Sequence, residues 1–364
     1  MAGRFDCMRG RAERRLASRP MIPAPYLLYL GATADPLSIK TSRGVAEFRG
    51  EACVGEYRRD ESPLTLGLPR MTMAQGAAAG AKTLILGIAG AGGRMGPDLI
   101  EDAAAALEAG MNVASGLHHR LRDQPRLVEL AAARGLLLFD VRDPPHDLRV
   151  GSGAPRAGKR LLTVGTDCSV GKMYASLALV RGLQARGETA DFRATGQTGI
   201  MIAGGGVAVD AVVADFISGA VERLAPARQD DGWDVIEGQG SLFHPSFAGV
   251  SLGLLHGAQA EALVMCHEPR RPHIRGLPGY QVPDLVDCLA RNLEAARLTT
   301  PQVRAVGICL NTSALSREEA ARECAVTADR LGLPCTDPIA FGVEPILDEL
   351  LCAAPLPHAT TASR

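Results

Sequence analysis

LLTVGTDCSVGKMYASLAL, Leu161 to Leu179, puts a short apolar run, a glycine-bounded polar loop and an Ala/Leu-rich stretch in direct succession. Its centre, Gly165 to Lys172, has the form G-x-x-x-x-x-G-K, one residue longer than the usual spacing, between a buried strand and a helix, the setting a phosphate-cradling P-loop needs. Gly165 and Gly171 permit the tight wrap. Successive backbone N–H groups then face an anion, helped by the helix N-terminus and the Lys172 ammonium. The expected phosphate-binding residues are therefore Gly165, Thr166, Asp167, Cys168, Ser169, Val170, Gly171, Lys172 and Met173. Nucleotide hydrolases follow that Lys with a Ser or Thr that holds Mg²⁺, whereas this chain has Met173. A thioether is a poor ligand for a hard cation. The loop is expected to grip phosphates that are not cleaved, such as the pyrophosphate or ribose phosphate of coenzyme A, with no metal required. Ser169 and Tyr174 are the nearest groups able to reach a cation through water.

Around this stretch the chain alternates short apolar strands with helical runs, the rhythm of a parallel sheet covered on both faces. Strands are expected at Leu161–Val164, Ala190–Arg193, Val235–Ile236, Ala262–Cys266, Ala305–Leu310 and Cys335–Ile339. Before them come Tyr26–Gly31, Thr83–Ile88, Asn112–Ser115 and Leu136–Phe139. The Gly/Pro-rich VGSGAPRAGK, Val150 to Lys159, marks a boundary between domains. The expected fold is α/β: an N-terminal Rossmann-like parallel-sheet domain, residues 21–150, and a C-terminal P-loop NTPase-like parallel-sheet domain, residues 151–352. The Arg-rich residues 1–20 read as a disordered extension, an organelle-targeting segment being the other reading, and 353–364 as a flexible tail.

Composition narrows the class. At 364 residues the chain has the length of two domains, and 46% hydrophobic with 22% charged residues is a globular balance. A formal net charge of −1 gives no bulk electrostatic case for nucleic acid or an acidic membrane. No apolar run approaches the roughly 20 residues of a membrane span. The 9 cysteines, an odd number without CxxC spacing, read as reduced thiols of a cytoplasmic protein.

Polar residues after the strands supply the chemistry. In DVIEGQGSLFHPSF, Asp234 to Phe247, Glu237 and His244 are candidate general bases, and Gln239 and Ser241 candidate donors to a developing oxyanion. In DFRATGQTG, Asp191 to Gly199, Arg193 offers a planar fork for a carboxylate, with Thr195 and Gln197 as short donors. As a strand-end arginine, Arg193 reads equally well as a structural ion pair. One of Asp210 and Asp215 is expected to turn towards the site. AGAGGRMG, Ala89 to Gly96, has the look of a dinucleotide turn like that of dihydrodipicolinate reductases, but no acidic residue ends the next strand. His118 and His119 are adjacent and cannot readily share one metal. CHEPRRPH, Cys266 to His273, lacks a complementary ligand pair for zinc.

GTDCSVGKM, ADFRATGQTGI, DFISGAVE, EGQGSLFHPSFAGVSLGLLHG and CHEP together carry a resemblance that runs from about Met21 to Leu350. The chain resembles the DgcN-like D-glutamate N-acetyltransferase family, bacterial proteins with a Rossmann-like N-terminal and a P-loop C-terminal domain. That resemblance implies acetyl transfer from acetyl-CoA to D-glutamate, in D-amino acid catabolism and linked to a dipeptide epimerase. The partners expected are the small-molecule substrate and further copies of the chain in a homo-oligomer. Direct attack of the amine on the thioester is the expected route, with a covalent route through Cys168 or Cys266 as its rival. GTDCSVGK also resembles the loop of dethiobiotin synthetase, which leaves open an ATP-dependent ligase or kinase. A non-catalytic nucleotide or CoA sensor is the third reading.

Overall fold

The structure, a computed structural model, describes residues 21–36, 38–60, 62–88 and 95–352. The Arg-rich start, the tail and all but Met95 and Gly96 of the AGAGGRMG turn lie outside those residues. The chain divides into two compact units, one of residues up to Leu148 with Ala194–Val212, the other of Arg149–Arg193 with residues from Val213 onward.

The first unit holds β1 (Tyr26–Gly31), β2 (Cys53–Arg58), β3 (Thr83–Leu86), β4 (Asn112–Ser115) and β5 (Leu138–Asp140). They form one parallel sheet in the order β2-β1-β3-β4-β5. Every residue of β1, YLLYLG, is buried, as a strand covered on both faces must be. Leu27, Leu84 and Val113 pack against Leu99 and Leu107 of the helix Pro97–Glu108. The edge strand β2, CVGEYR, has no sequence signal because Glu56 interrupts its apolar run. Glu56 is nonetheless fully buried: its carboxylate accepts from Thr65 Oγ1 at 2.8 Å and Leu66 N at 2.7 Å and pairs with Arg58 at 3.4 Å. A buried carboxylate with this many partners is tolerated; without them it would not be.

The stretch Ala194–Val212 belongs to this unit although the chain reaches it from β7 of the other. It is pinned by Ile22 N to Gly204 O at 3.0 Å, Arg49 Nη1 to Ile202 O at 2.9 Å and Thr41 to Thr198 at 2.9 Å. Gln197 Oε1 accepts from Arg142 Nε at 3.3 Å, and Arg142 also pairs with Asp210. By its contacts the second unit is thus interrupted at Ala194–Val212.

The second unit contains β6 (Lys159–Gly165), β7 (Ala190–Arg193), β8 (Trp233–Ile236), β9 (Ala262–His267), β10 (Arg304–Leu310) and β11 (Cys335–Thr336), parallel throughout, in the order β11-β10-β9-β6-β8-β7. From β6 the chain first runs out to the edge strand β7, returns to β8 between them, then crosses to β9 on the other side of β6. The strand order therefore reverses beside β6, and ligand crevices open at the carboxyl ends of strands at such a switch point. Leu161, Val235, Val264 and Val306 from the sheet meet Leu179, Leu183, Ile346 and Leu347 from the covering helices.

The stretch read as a polar boundary has a structural task. Arg156 Nη1 donates to Glu222 O at 3.1 Å and Ala225 O at 2.7 Å, while Nη2 donates to Gly257 O at 2.5 Å and Ala258 O at 3.2 Å. These carbonyls close the carboxyl ends of the helices Ile217–Leu224 and Ala248–Ala258. Helix ends carry orphan carbonyls and partial negative charge, and one guanidinium satisfies both sets. Replacing Arg156 by Met is expected to lower unfolding free energy by about 3 kcal/mol, read as a shifted urea midpoint with an unchanged slope.

Candidate functional site

The centre of the second sheet delivers the chain into the loop. Ser169 at φ 56° and Gly171 at φ 98° take left-handed backbone, and the helix Lys172–Ala185 starts at once. A curl of this kind places the loop at the positive end of the helix. Lys172 is only 7% exposed. Its Nζ donates to Asp167 O at 2.7 Å and Gly240 O at 2.9 Å. Burial pulls its pKa below lysine's ordinary value, opposed by Cys168, Cys266, Asp167 and Glu237. An anion beside Nζ would restore it.

Asp167, fully buried, ties the loop together. Its Oδ1 accepts Cys168 N at 2.6 Å, and its Oδ2 accepts Arg271 Nη1 and Arg275 N, each at 2.7 Å. Arg271 also donates to Cys168 O at 2.8 Å and Ser169 O at 3.0 Å and pairs with Glu268. One planar fork thus fixes three consecutive loop residues. Arg271 lies in CHEPRRPH, a string weighed only for zinc. The usable signal was an arginine pair just past the strand that neighbours the loop strand.

Thr166 N donates to Cys266 O at 3.1 Å, and its Oγ1 meets His267 Nδ1 at 2.9 Å. Burial and then Arg271 hold His267 below its ordinary pKa. Ser241, expected to face a ligand, instead gives its hydroxyl hydrogen to Thr166 O at 3.0 Å. A hydroxyl has one hydrogen, so this one secures the loop and is not offered to an oxyanion. Next to Glu237, Gly238 is obligatory: a Cβ there would stand 1.7 Å from Thr163 O. Glu237 is 4% and His244 3% exposed, both following β8. Gln239 O accepts from Ser251 Oγ at 2.8 Å.

The DFRATGQTG residues separate. The Arg193 Nε and Nη2 atoms each lie 2.8 Å from Asp234 Oδ1, in a cluster with Asp191 and Arg228. Its fork is occupied by protein carboxylates, so the structural ion pair is the reading that holds. Thr195 and Gln197 belong to the first compact unit. His118 and His119 are exposed.

An Asp167 carboxylate oxygen, Cys168 Sγ and a ring nitrogen of His244 lie within 4.8 Å of one another, a spacing that admits a cation. The chemistry around them does not favour one. Asp167 is already engaged by Arg271 and two main-chain N–H groups, and the Lys172 ammonium hangs from the same loop. Burial raises the Cys168 thiol pKa, with Lys172, Arg275 and Arg271 opposing, so the thiol stays protonated near neutrality.

Residues 149–347 match the P-loop domain of DUF1611, described as a domain of unknown function, and residues 52–144 match its Rossmann-like N-terminal domain. The chain is 47% identical to a D-glutamate N-acetyltransferase of Pseudoalteromonas, over 90% of this chain and 99% of that protein. It is likewise 47% identical to one of Tritonibacter scottomollicae, over 91% and 99%. A DUF1611 family protein of Anabaena variabilis, known from its crystal structure, is similar at TM-score 0.83 and 33% identity, covering 91% of this chain and all of that one. Among the described residues, no helix is long and apolar enough to cross a membrane.

Replacing Arg271 by Met leaves a buried carboxylate without its charge partner. About 3 kcal/mol of stability is expected to be lost, and hydrogen exchange of the loop amides should rise more than that of β6.

Proposed function

We propose that this chain, which belongs to the DUF1611 family, is an acyltransferase that moves an acetyl group onto the amine of D-glutamate, giving N-acetyl-D-glutamate. The donor we propose is acetyl-CoA, with a phosphate of its nucleotide end as the handle gripped at Gly165 to Lys172. One observation carries the reading. The loop joins left-handed Ser169 and Gly171, a buried lysine and a helix start at the end of the central strand, yet Met173 stands where the magnesium-holding hydroxyl would be. Such a loop suits a phosphate that stays intact, which a thioester donor has and a phosphoryl donor does not. Near-full-length identity to proteins named for this acetylation supports the substrate.

The chemistry sets two demands. The amine of D-glutamate arrives as an ammonium and must lose a proton before it can attack. The thioester oxygen gains charge as the tetrahedral centre forms and needs hydrogen-bond donors. Of the two candidate bases read from sequence, Glu237 is the one we propose, and Gln239 with main-chain N–H groups are the proposed donors. We take the enzyme to act in the cytoplasm, in D-amino acid catabolism beside a dipeptide epimerase, and as a homo-oligomer.

Incubating the full chain with acetyl-CoA and D-glutamate is expected to release free CoA thiol and N-acetyl-D-glutamate in equal amounts, without magnesium. Lys172→Ala is expected to weaken CoA binding by about 10-fold or more. Magnesium-dependent ATP hydrolysis without acetyl transfer would instead make the protein a ligase or kinase. Unaltered CoA affinity in Lys172→Ala would remove the phosphate grip.

A further inference from the structure

The length of the donor decides what a group beside the loop can do. In acetyl-CoA the thioester ends a pantetheine arm. Extended, that arm spans about 15 Å from the pyrophosphate, the reach of four to five residues of extended chain. The ribose phosphate is no nearer. His244 lies at the other end of this span, since one ring nitrogen is within 4.8 Å of Cys168 Sγ and an Asp167 carboxylate oxygen, both loop atoms. A base must come within hydrogen-bond reach of the proton it removes. A ring that adjoins the gripped phosphate is an arm's length from the amine.

The hydrogen bonding of the ring points the same way. Ser246 N donates to His244 Nδ1 at 3.1 Å, so the neutral ring carries its hydrogen on Nε2. The turn that supplies this bond is itself closed by His244 N to Ser241 O and Phe247 N to His244 O, each at 3.1 Å. The Phe247 ring, with its centroid 4.4 Å away, holds the imidazole plane. Taking up a proton at Nε2 would require Nδ1 to surrender its acceptor role and face the Ser246 N–H with a hydrogen of its own. The ring is 3% exposed, and the bond from Ser246 leaves its Nε2 hydrogen as the one the ring can donate. A donor placed beside the loop in this way suits an oxygen of a bound anion.

We infer that His244 is a phosphate-binding residue: its Nε2–H donates to an oxygen of the phosphate gripped in the loop, beside Lys172, and it is not the base of the acetyl transfer. The inference rests on the phosphate-grip reading of the loop. The same length argument removes Cys168 as an acetyl carrier.

The test is calorimetry on the full chain with CoA, dephospho-CoA and inorganic pyrophosphate, together with steady-state kinetics. It compares wild type, His244→Ala and His244→Gln, the last offering an amide N–H at similar reach. His244→Ala is expected to weaken CoA about 10-fold and to raise KM for acetyl-CoA correspondingly. Its kcat at saturating donor should stay within about threefold of wild type. His244→Gln should recover most of the lost affinity. If dephospho-CoA and pyrophosphate show the same loss, the pyrophosphate is the group held; if only CoA does, it is the ribose phosphate. Undiminished CoA affinity in His244→Ala, with a kcat fall of about 100-fold that Gln does not rescue, would make His244 the base and overturn the inference while leaving the grip intact. Wild-type protein that binds none of the three probes would overturn the grip itself.

Discussion

A buried ammonium whose hydrogen-bond acceptors are main-chain carbonyls sets the terms for the second unit. Lys172 gives its hydrogens to Asp167 O and Gly240 O, so the loop and the turn after β8 are drawn over the same charge. Carbonyl dipoles only partly offset the lost hydration, which is why burial pulls the lysine pKa down. Around this charge the site is built in layers. Arg271 fixes the outer rim through Asp167, Cys168 and Ser169, and Ser241 fixes the inner rim through Thr166. All of these bonds are made within the chain itself. A preformed cradle with a desolvated cation at its base is poised for an anion and needs little rearrangement to take one.

How much of this could be read from the residues depends on distance along the chain. The phosphate loop was legible because strand, glycines, lysine and helix are contiguous, and each acts through local backbone geometry. Most strands were legible for the same reason, since buried parallel strands are apolar runs: Tyr26–Gly31, Asn112–Ser115 and Ala190–Arg193 match to the residue, while the expected Cys335–Ile339 overruns β11 by three. β2 was not, since Glu56 is acceptable inside only because Thr65, Leu66 and Arg58 come to it, a fact no local pattern carries.

The misjudged site residues share that cause. Arg193 has the right residue type at a strand end, but Asp234 on β8, opposite Asp191 in the ladder, takes the fork first. Ser241 has a free hydroxyl in sequence and an occupied one in the fold. Arg271 was passed over because its partners lie about a hundred positions earlier in the chain. Polar side chains that bond across such separations cannot be assigned until the topology is known. His244 is the instructive middle case: its nearness to the loop is tertiary, but the bond that sets its tautomer comes from Ser246, two residues on.

The detour of Ala194–Val212 into the first unit bears on the order in which a nascent chain can mature. Its helix, Gln197–Ala203, sits against β1-side elements through Thr198, Ile202 and Gly204. The first unit therefore remains unfinished on the ribosome when Leu148 emerges, and stays so until the P-loop and its helix have been made and the segment behind them has left the exit tunnel. The loop is synthesised in the interval, flanked by β6 and β7, before β8 and β9 exist to pair with β6. The two halves of this protein must mature as interleaved pieces of one chain.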